Sequence, residues 1–387
     1  MKVKKYYVVL LSLVVLTVLL NLLGFSKTFC NFYTDHIYGG VHFVFGILST
    51  WIPFALGEII MYAGAVAVVL LAVFGVICIF LRKKKGYCAF FRRYAKTILM
   101  TLVIFLFIYT TNWFIPFRAD VLKVSDNERT VFTYEEINQV HLMIVQNLNE
   151  LSKEVKRDEN GNILFDYSEE EIIEALQKAG DDYSRLKGFY PHSKKAICSN
   201  FLEWMGIGGY NYIYTMEPTY NSYCDQLYMP VLLAHEYTHN KGYYKENEAE
   251  FLSCIALINS DNPYLRYCGY FEMYDYIFWD YYRAAADRFD KLYPRSDFMD
   301  ADAMLEYDAL WQQYFAGYPD EQVSIDQDYA RGIAAAIYEE QVNPVLEETF
   351  SEVTAEVATK GWEIQEEVLQ ENSYDGLSLM LLQYYIE

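Results

Sequence analysis

The sequence predicts a mainly α protein in which three N-terminal transmembrane helices precede a mostly helical domain with a small strand element. Three long apolar runs lie in the first third of the chain, helix-capping patterns recur after them, and one segment near the middle alternates in the manner of a strand. The predicted boundary separates a membrane domain at residues 1–115 from a second domain at 116–387.

Each apolar run is long enough to cross the hydrocarbon core of a bilayer as a helix, which takes about 20 residues. The spans are expected at about 6–25, 59–81 and 97–115. The loop between the second and third spans carries the basic run Arg82–Lys85, and basic loops stay in the cytoplasm. The N-terminus is therefore expected in the cytoplasm and the second domain outside it, with the lipid bilayer as one partner.

The segment between the first two spans is aromatic and contains glycine. Residues 36–51 are expected in the outer interface, where aromatic side chains are favoured. Glu58, at the start of the second span, is expected to be a favourable charge at the N-terminus of a helix. A role in the active site is the alternative for this residue.

Charge divides the chain at nearly the same place. Residues 1–123 carry 13 Lys and Arg against 3 Asp and Glu, whereas residues 124–387 carry 18 against 49. A surface this acidic repels nucleic acid and anionic lipid, so nucleic acid is excluded as a partner. The same region is rich in Tyr, Phe, Leu and Trp and can bury a core, so a disordered tail is excluded as well.

The seven cysteines include no CxxC pair, which argues against a zinc ribbon built from thiolates. Buried thiols are expected. One or two disulfides among the last four cysteines are the alternative.

The second domain carries signals for helices and for one strand group. Thr133–Glu136 and Ser168–Glu171 are capping boxes, which predict helices to about Lys156 and to about Leu186, the second interrupted by Gly180. Residues 206–218 alternate as a strand does. Further helices are expected at about 229–241, 246–257, 263–292 and from about 302 to the end.

The motif that carries chemistry is His235-Glu236-Tyr237-Thr238-His239, an HExxH sequence. On a helix, side chains four residues apart share a face, so both imidazoles can reach one ion. Glu236 is then placed to act on a water as general base rather than to bind the metal. The pattern predicts one Zn²⁺ ion bound by His235 and His239. The less favoured interpretation is a surface helix with a salt-bridging glutamate.

A catalytic zinc normally has three protein ligands and one open position. No further histidine follows the motif closely, and Lys245 stands where some HExxH enzymes carry a third histidine. The third ligand is therefore expected to be a carboxylate on the next helix. Glu248 is preferred because it shares a face with apolar residues of that helix, and Glu246 and Glu250 remain alternatives.

Several segments together carry a resemblance to a known family. In chain order they are Pro53–Glu58, Asn112-Trp113, Gly206–Tyr210, His235–Gly242, Asn247–Phe251, Arg266–Tyr270 and, more weakly, Tyr374–Gly376. With the three spans, they are similar to the DUF3810 family, bacterial membrane proteins of uncharacterised function that are grouped with zincin-type metallopeptidases. The resemblance implies a protein of the bacterial cell membrane whose second domain is zincin-like. It implies no substrate.

Two positions depart from the pattern of that family. Glu250 stands where the family usually has asparagine, and Thr238 stands where it tends to have alanine. Neither departure removes a predicted ligand or the predicted base.

The function predicted from these residues is hydrolysis of a peptide or protein substrate. A bound zinc ion would activate a water, and Glu236 would take its proton and deliver it to the leaving amine. Tyr267, Tyr270 and His192 are candidates for a second donor to the oxyanion, although packing is the commoner role of a tyrosine. The alternative from another class is a membrane-anchored sensor or binding protein with a structural or inactive zinc site.

The strand-like segment offers a way to hold the substrate. Residues 210–215 could pair with an extended peptide as an added strand. Glu217 and Asn221 are candidates for shaping the cleft, although residues of these types beside Pro218 are more typical of a turn.

Overall fold

The computed structural model describes residues 2–125, 129–297, 301–315, 317–342, 344 and 375–386. Within these residues the chain is mostly helical, with one small sheet. The helices of the N-terminal part are α1 (Lys2–Leu23), α2 (Lys27–His36), α3 (Tyr38–Thr50), α4 (Leu56–Phe80), α5 (Lys85–Tyr109) and, after a π-helical turn at Thr110–Phe114, α6 (Ile115–Phe117).

Three helices are long and apolar enough to cross a membrane: α1, α4 and the continuous segment from α5 to α6. Large apolar side chains are exposed along all three, as is expected of surfaces that face lipid. The three apolar helices predicted from the sequence are therefore confirmed. The third begins at Lys85 rather than near residue 97, because the basic segment before the apolar run is itself helical.

α1 and α5 lie side by side and point the same way. The Tyr6 hydroxyl donates to the carbonyl of Lys96 at one end (2.8 Å), and Asn21 Nδ2 donates to Thr110 Oγ1 at the other (2.8 Å). α4 packs against α5 and is joined to it by the four residues 81–84, so it runs the opposite way. Alternating directions are what three successive crossings require.

The second domain contains a longer series of helices. They are α7 (Tyr134–Glu154), α8 (Glu169–Ala179), α9 (Ser199–Trp204), α10 (Met229–Asn240), α11 (Glu246–Ile258), α12 (Pro263–Leu292), α13 (Ala301–Tyr314), α14 (Glu321–Ile337) and α15 (Asp375–Tyr385). Both predicted capping boxes are present, at Thr133 and Ser168. α8 ends before Gly180, and Ser184–Leu186 forms a separate 3₁₀ turn. The remaining C-terminal helices expected from the sequence lie outside the described residues.

The sheet has three strands: β1 (Lys194–Lys195), β2 (Gly209–Tyr212) and β3 (Glu217–Tyr220). β3 is central, parallel to β1 and antiparallel to β2. The segment predicted as one strand is therefore a hairpin, whose turn includes Met216 with a positive φ of 55°.

The core of the second domain lies between α7, α8, α10, α11, α12 and α15. α10 is buried along its whole length. A helix buried on every side is normally apolar, because an unpaired polar group in such a place is costly. The polar residues of α10 therefore need partners.

Two buried carboxylates fasten the second domain to α4. Glu217, at the start of β3, accepts hydrogen bonds from the N–H groups of Leu56 (3.3 Å) and Gly57 (2.7 Å) in the first turn of α4. Glu58, in the same turn, accepts one from the N–H of Ile197 (3.0 Å). Each side thus satisfies backbone donors of the other, and the orphan N–H groups of a helix start are used for docking.

Candidate metal centre

Three side chains on α10 and α11 converge on one point. His235 Nε2 lies 3.0 Å and His239 Nε2 lies 3.4 Å from the same Oε2 atom of Glu246, and the three groups offer ligand atoms within 4.8 Å of one another. Two tetrahedral ligands bound to zinc at about 2.0–2.1 Å lie roughly 3.3 Å apart. Two histidines and a glutamate are also a ligand set that catalytic zinc uses, so the residues present fit this ion.

A tight turn brings Glu246 back to the two histidines. Gly242 has a φ of +92°, which glycine adopts without steric cost, and it ends α10 as predicted. Residues 241–245 alone separate the two helices. Glu246 is the first residue of α11 and therefore lies beside the C-terminal half of α10.

Each histidine ring is oriented through its other nitrogen. His235 Nδ1 lies 2.6 Å from Glu250 Oε2, and His239 Nδ1 lies 2.7 Å from the carbonyl oxygen of Tyr243. A ring that donates its Nδ1–H to such an acceptor leaves Nε2 unprotonated, which is the form that binds a metal. The Nε2 atoms of both rings are the ones that face Glu246.

The charges around the histidines favour a cation. Burial alone would lower the pKa of His235, but the carboxylates of Glu250 and Glu246 raise it well above its usual value. Burial alone would raise the pKa of Glu246, but its contacts with His235 and His239 hold it well below its usual value. Both shifts have the direction expected where positive charge lies next to carboxylates, and a divalent ion supplies such charge.

Glu236 lies beside this group without belonging to it. Its carboxylate is buried, and Oε2 has no hydrogen-bond partner among the described residues. Burial raises the pKa of Glu236 to about 7. A buried, unpaired carboxylate is costly and calls for an explanation. A pKa near neutrality is the value that suits a general base.

A cavity of about 600 Å³ opens in front of these groups, walled by α10, β2 and the C-terminal end of α5. β2 passes close to Glu236, and a Cβ on Gly209 would lie 3.0 Å from Glu236 Oε1. Glycine at this position therefore lets the strand approach the carboxylate.

The register of the hairpin leaves one edge of β2 unpaired by β3, and the residues of this strand line the cavity. Pro218 has no N–H, so the pair Asn211–Pro218 is one in which ladder hydrogen bonds are not exchanged. The N–H and C=O groups of Asn211, and those of Gly209 two residues earlier, consequently point away from β3. Both residues line the cavity, and no other strand of the described chain pairs with this edge.

The structure brings Glu246 to the histidines rather than the preferred Glu248. Glu246 and Glu250 are four residues apart and share a face, whereas Glu248 lies about 200° around the helix from Glu246. Glu248 Oε1 accepts a hydrogen bond from the N–H of Leu122 (2.7 Å) instead. α11 is buried on all sides from Glu248 to Leu257, so apolar facing could not separate the candidates. We therefore take Glu246 instead of Glu248 as the candidate for the third ligand. This assignment remains a prediction.

The three oxyanion candidates do not line the cavity in the described part of the chain. Tyr267 is fully buried, and its hydroxyl donates to Asp326 Oδ2 (3.0 Å). Tyr270 packs against the hydrophobic core. His192 is mostly exposed, with Nδ1 3.6 Å from a carboxylate oxygen of Glu169.

Glu217 and Asn221 hold the hairpin in place. Glu217 accepts the N–H groups of α4 described above, and Asn221 Nδ2 donates to Glu203 Oε2 (2.6 Å) and to the carbonyl of Ile207 (3.3 Å). Neither residue lines the cavity. Their contacts fit the structural interpretation.

Sequence reasoning missed the residues that the third apolar helix and the turn after α10 contribute. Tyr109 and Trp113 line the cavity. Tyr244 also lines it; its ring is stacked on His239 with 6.1 Å between centroids, and its hydroxyl donates to the carbonyl of Asn112 (2.7 Å). A polar Asn112 at the end of an apolar run was a usable signal that this end contacts protein.

Comparison with known proteins identifies a family. The sequence model of the family described as "Protein of unknown function (DUF3810)" matches residues 33–327. Neither the curated proteins nor the solved structures include one that matches the chain. The family match covers α4, α5, the sheet and every residue of the candidate metal centre, so the chain belongs to the DUF3810 family.

Proposed function

We propose that this protein is a zinc-dependent peptidase held at a membrane, and that it hydrolyses peptide bonds in the cavity in front of α10. One observation carries the proposal. The Nε2 atoms of His235 and His239 converge on one oxygen of Glu246, beside the buried and unpaired carboxylate of Glu236.

The ligands in this proposal are His235, His239 and Glu246, and the two rings are held by Glu250 and by the carbonyl of Tyr243. When bound, the zinc ion supplies Lewis-acid polarisation of the scissile carbonyl and a water of lowered pKa. Glu250 matters because the outer partners of ligating histidines fix both ring orientation and tautomer.

The chain's own residues position the peptide and move the proton. The outward N–H and C=O groups of Gly209 and Asn211 hold an extended substrate as an added strand. Glu236 lies under this edge, accepts the proton of the attacking water and returns it to the leaving amine. The glycine at position 209 lets the substrate backbone lie close to that carboxylate.

Placement in the membrane is part of the proposal. α1, α4 and the α5–α6 segment cross a bacterial cell membrane, with the basic residues 82–85 in the cytoplasm and the second domain outside. A reporter that is active only outside the cytoplasm, fused after residue 125, checks this orientation. Activity of a cytoplasmic reporter at the same position would contradict it.

The test of function compares the full-length protein with Glu236→Gln, both purified in detergent and loaded with zinc. We expect one zinc per chain in each protein and cleavage of a mixed peptide library by the wild type. The variant should be at least about 10²-fold slower, because general bases contribute about 10²–10⁴-fold. Glu174→Gln, an exposed change on α8, serves as the matched control and should retain full activity.

Three results would contradict this function. Failure of the wild type to bind zinc would contradict the proposed metal centre. Bound zinc without any cleavage, or cleavage unchanged in Glu236→Gln, would favour a protein that uses zinc structurally.

A further inference from the structure

The cavity in front of α10 has one wall that does not come from the second domain. Tyr109, at the end of α5, and Trp113, in the π-helical turn after it, both line the cavity. These residues belong to the third helix that is long and apolar enough to cross a membrane. The cavity and the end of that helix are therefore one structure.

The length of the helix places this wall at the membrane surface. Lys96 is the last basic residue before the apolar run, and the 17 residues from there to Trp113 correspond to a rise of about 25 Å. The hydrocarbon core is about 30 Å thick. Trp113 thus lies near the far interface, where tryptophan and tyrosine are favoured.

The tip of the β2–β3 hairpin contacts the C-terminal part of the same helix and the start of α4. The ring of Tyr214 packs on that of Phe105 with 4.6 Å between centroids, and the carbonyl of Ile213 accepts a hydrogen bond from Asn112 Nδ2 (2.8 Å). A Cβ on Gly57, at the start of α4, would lie 2.3 Å from the ring of Tyr212. The C-terminal end of β2 therefore lies at the membrane helices.

β2 runs from Glu236 to the membrane helices. Its N-terminal end is at Gly209, which approaches Glu236, and its C-terminal end is at Tyr212, against α4. Four strand residues cover about 10 Å at roughly 3.3 Å per residue. A polypeptide paired with the open edge of β2 thus reaches the helix ends within about three or four residues of the bond above Glu236.

The side chains at the membrane end of this path suit apolar neighbours. Tyr109, Trp113, Ile213 and Tyr214 line the cavity there and present aromatic and aliphatic surface. Tryptophan and tyrosine are also enriched where a membrane-spanning segment meets the interface. An anchored chain leaves the bilayer beside this wall, whereas a dissolved peptide has to reach it from the aqueous phase.

From these contacts we infer that the substrate is a membrane-anchored polypeptide, cut within a few residues of the point where it leaves the bilayer. This inference rests on the proposed peptidase function. Hydrolysis adds one water across the peptide bond, with the proton passing through Glu236 to the new amine, so no further reactant is needed. The products are an anchored stub and a released chain.

The test uses the full-length, zinc-loaded protein in vesicles of phosphatidylethanolamine and phosphatidylglycerol. The probe is a single leucine-rich helix followed by a mixed-sequence segment and a fluorescent reporter. In one form the segment follows the helix directly, and in a second it is displaced by a flexible Gly-Ser linker of about 20 residues. The third form is the free segment without a helix.

We expect the directly attached segment to be cut at least about 10-fold faster than the displaced one. That ratio is a 1.4 kcal/mol difference in transition-state stabilisation. The displaced form controls for confinement in the same vesicle, because it is equally concentrated at the membrane. Equal or faster cutting of the displaced or free segment would overturn the inference while leaving the peptidase function intact. Absence of cleavage in all three forms would overturn the peptidase function itself.

A variant of Trp113 tests whether the preference for the attached segment depends on the wall that Tyr109 and Trp113 form. Trp113→Ala should lower the ratio between the attached and displaced forms toward one, with zinc content unchanged. Trp279→Ala, at an exposed tryptophan on α12, is the matched control and should keep the ratio. A ratio unchanged in Trp113→Ala with a zinc-loaded centre would contradict the role of this wall.

Discussion

Glu246 and Glu248 lie two positions apart on α11 and have different partners. Glu246 Oε2 is shared by two histidine nitrogens, whereas Glu248 Oε1 accepts a backbone N–H of Leu122 and lies 3.5 Å from Lys245 Nζ. One carboxylate thus faces both histidine rings, and the other fastens the chain after α6 to α11. The difference gives a direct test of the ligand set.

Glu246→Gln should lower zinc affinity by more than Glu250→Gln. Loss of an outer partner such as Glu250 typically costs roughly 10–100-fold in metal affinity, and loss of a ligand removes a metal bond outright. Glu248→Gln is the matched control and should keep the wild-type affinity, since its oxygens face Leu122. Competition with a chromophoric chelator measures all three. Loss of zinc in Glu248→Gln with retention in Glu246→Gln would support Glu248 as the third ligand.

At this scale, the sequence is informative where spacing alone decides the geometry. His235 and His239 could be paired in advance because a helix places residues four apart on one face. The third ligand depends on how the turn at Gly242 directs α11, and no periodicity records that angle. The partner of the Tyr267 hydroxyl was equally unpredictable, because Asp326 lies 59 positions further along the chain.

Among the elements, the small sheet and α4 depend on each other. Glu217 accepts two N–H groups of α4, and Glu58 accepts from the N–H of Ile197. Without Glu217 two N–H groups in the first turn of α4 would lose their acceptor, and without Glu58 the N–H of Ile197 would lose one. The edge that faces the cavity is therefore held in place by the start of an apolar helix.

Glu217→Gln should loosen the hairpin while leaving the metal centre occupied. An amide offers one acceptor oxygen in place of two, and each buried N–H left unpaired costs about 1–3 kcal/mol. We expect faster hydrogen exchange at residues 209–220 and slower peptide cleavage, with unchanged zinc content. Glu174→Gln should alter neither. Unchanged exchange in Glu217→Gln would show that this carboxylate does not anchor the sheet.

The helices were largely predictable and the hairpin was not, for a physical reason. Capping boxes at Thr133 and Ser168 satisfy helix N–H groups within one turn, so they are legible in the local sequence. The hairpin turn contains no glycine or asparagine, and its left-handed residue is Met216, which rarely adopts that conformation. The turn is supported instead by contacts with α5 and α4, which are distant in sequence.

For the whole molecule, a buried histidine couples stability to pH. His141 lies in α7, fully buried, with its ring stacked on Tyr281 at 4.0 Å and Nε2 2.6 Å from the carbonyl of Gly317. Burial lowers the pKa of His141 to about 4. The unfolded chain, with an ordinary value near 6.5, therefore binds more protons between these two pH values.

Stability should accordingly fall as the pH drops from about 6.5 to about 4, by at most about 3 kcal/mol from this residue. His141→Gln should be less stable at neutral pH, because the stacked ring is lost, but should show a flatter decline on acidification. His192→Gln, at an exposed ring, should retain the wild-type slope. Urea unfolding in detergent after chelation of zinc measures the slopes. A wild-type slope in His141→Gln would contradict this assignment.

The wall that Tyr109 and Trp113 contribute to the cavity bears on how substrates would be selected. Two molecules confined to one bilayer meet at an effective concentration far above that of dissolved chains, so weak strand pairing suffices for turnover. Whether a protein is cleaved would then depend on its residence in the same membrane and on an unfolded stretch beside its anchor. A recognition sequence would matter less. Folded neighbours would be spared because they offer no free strand.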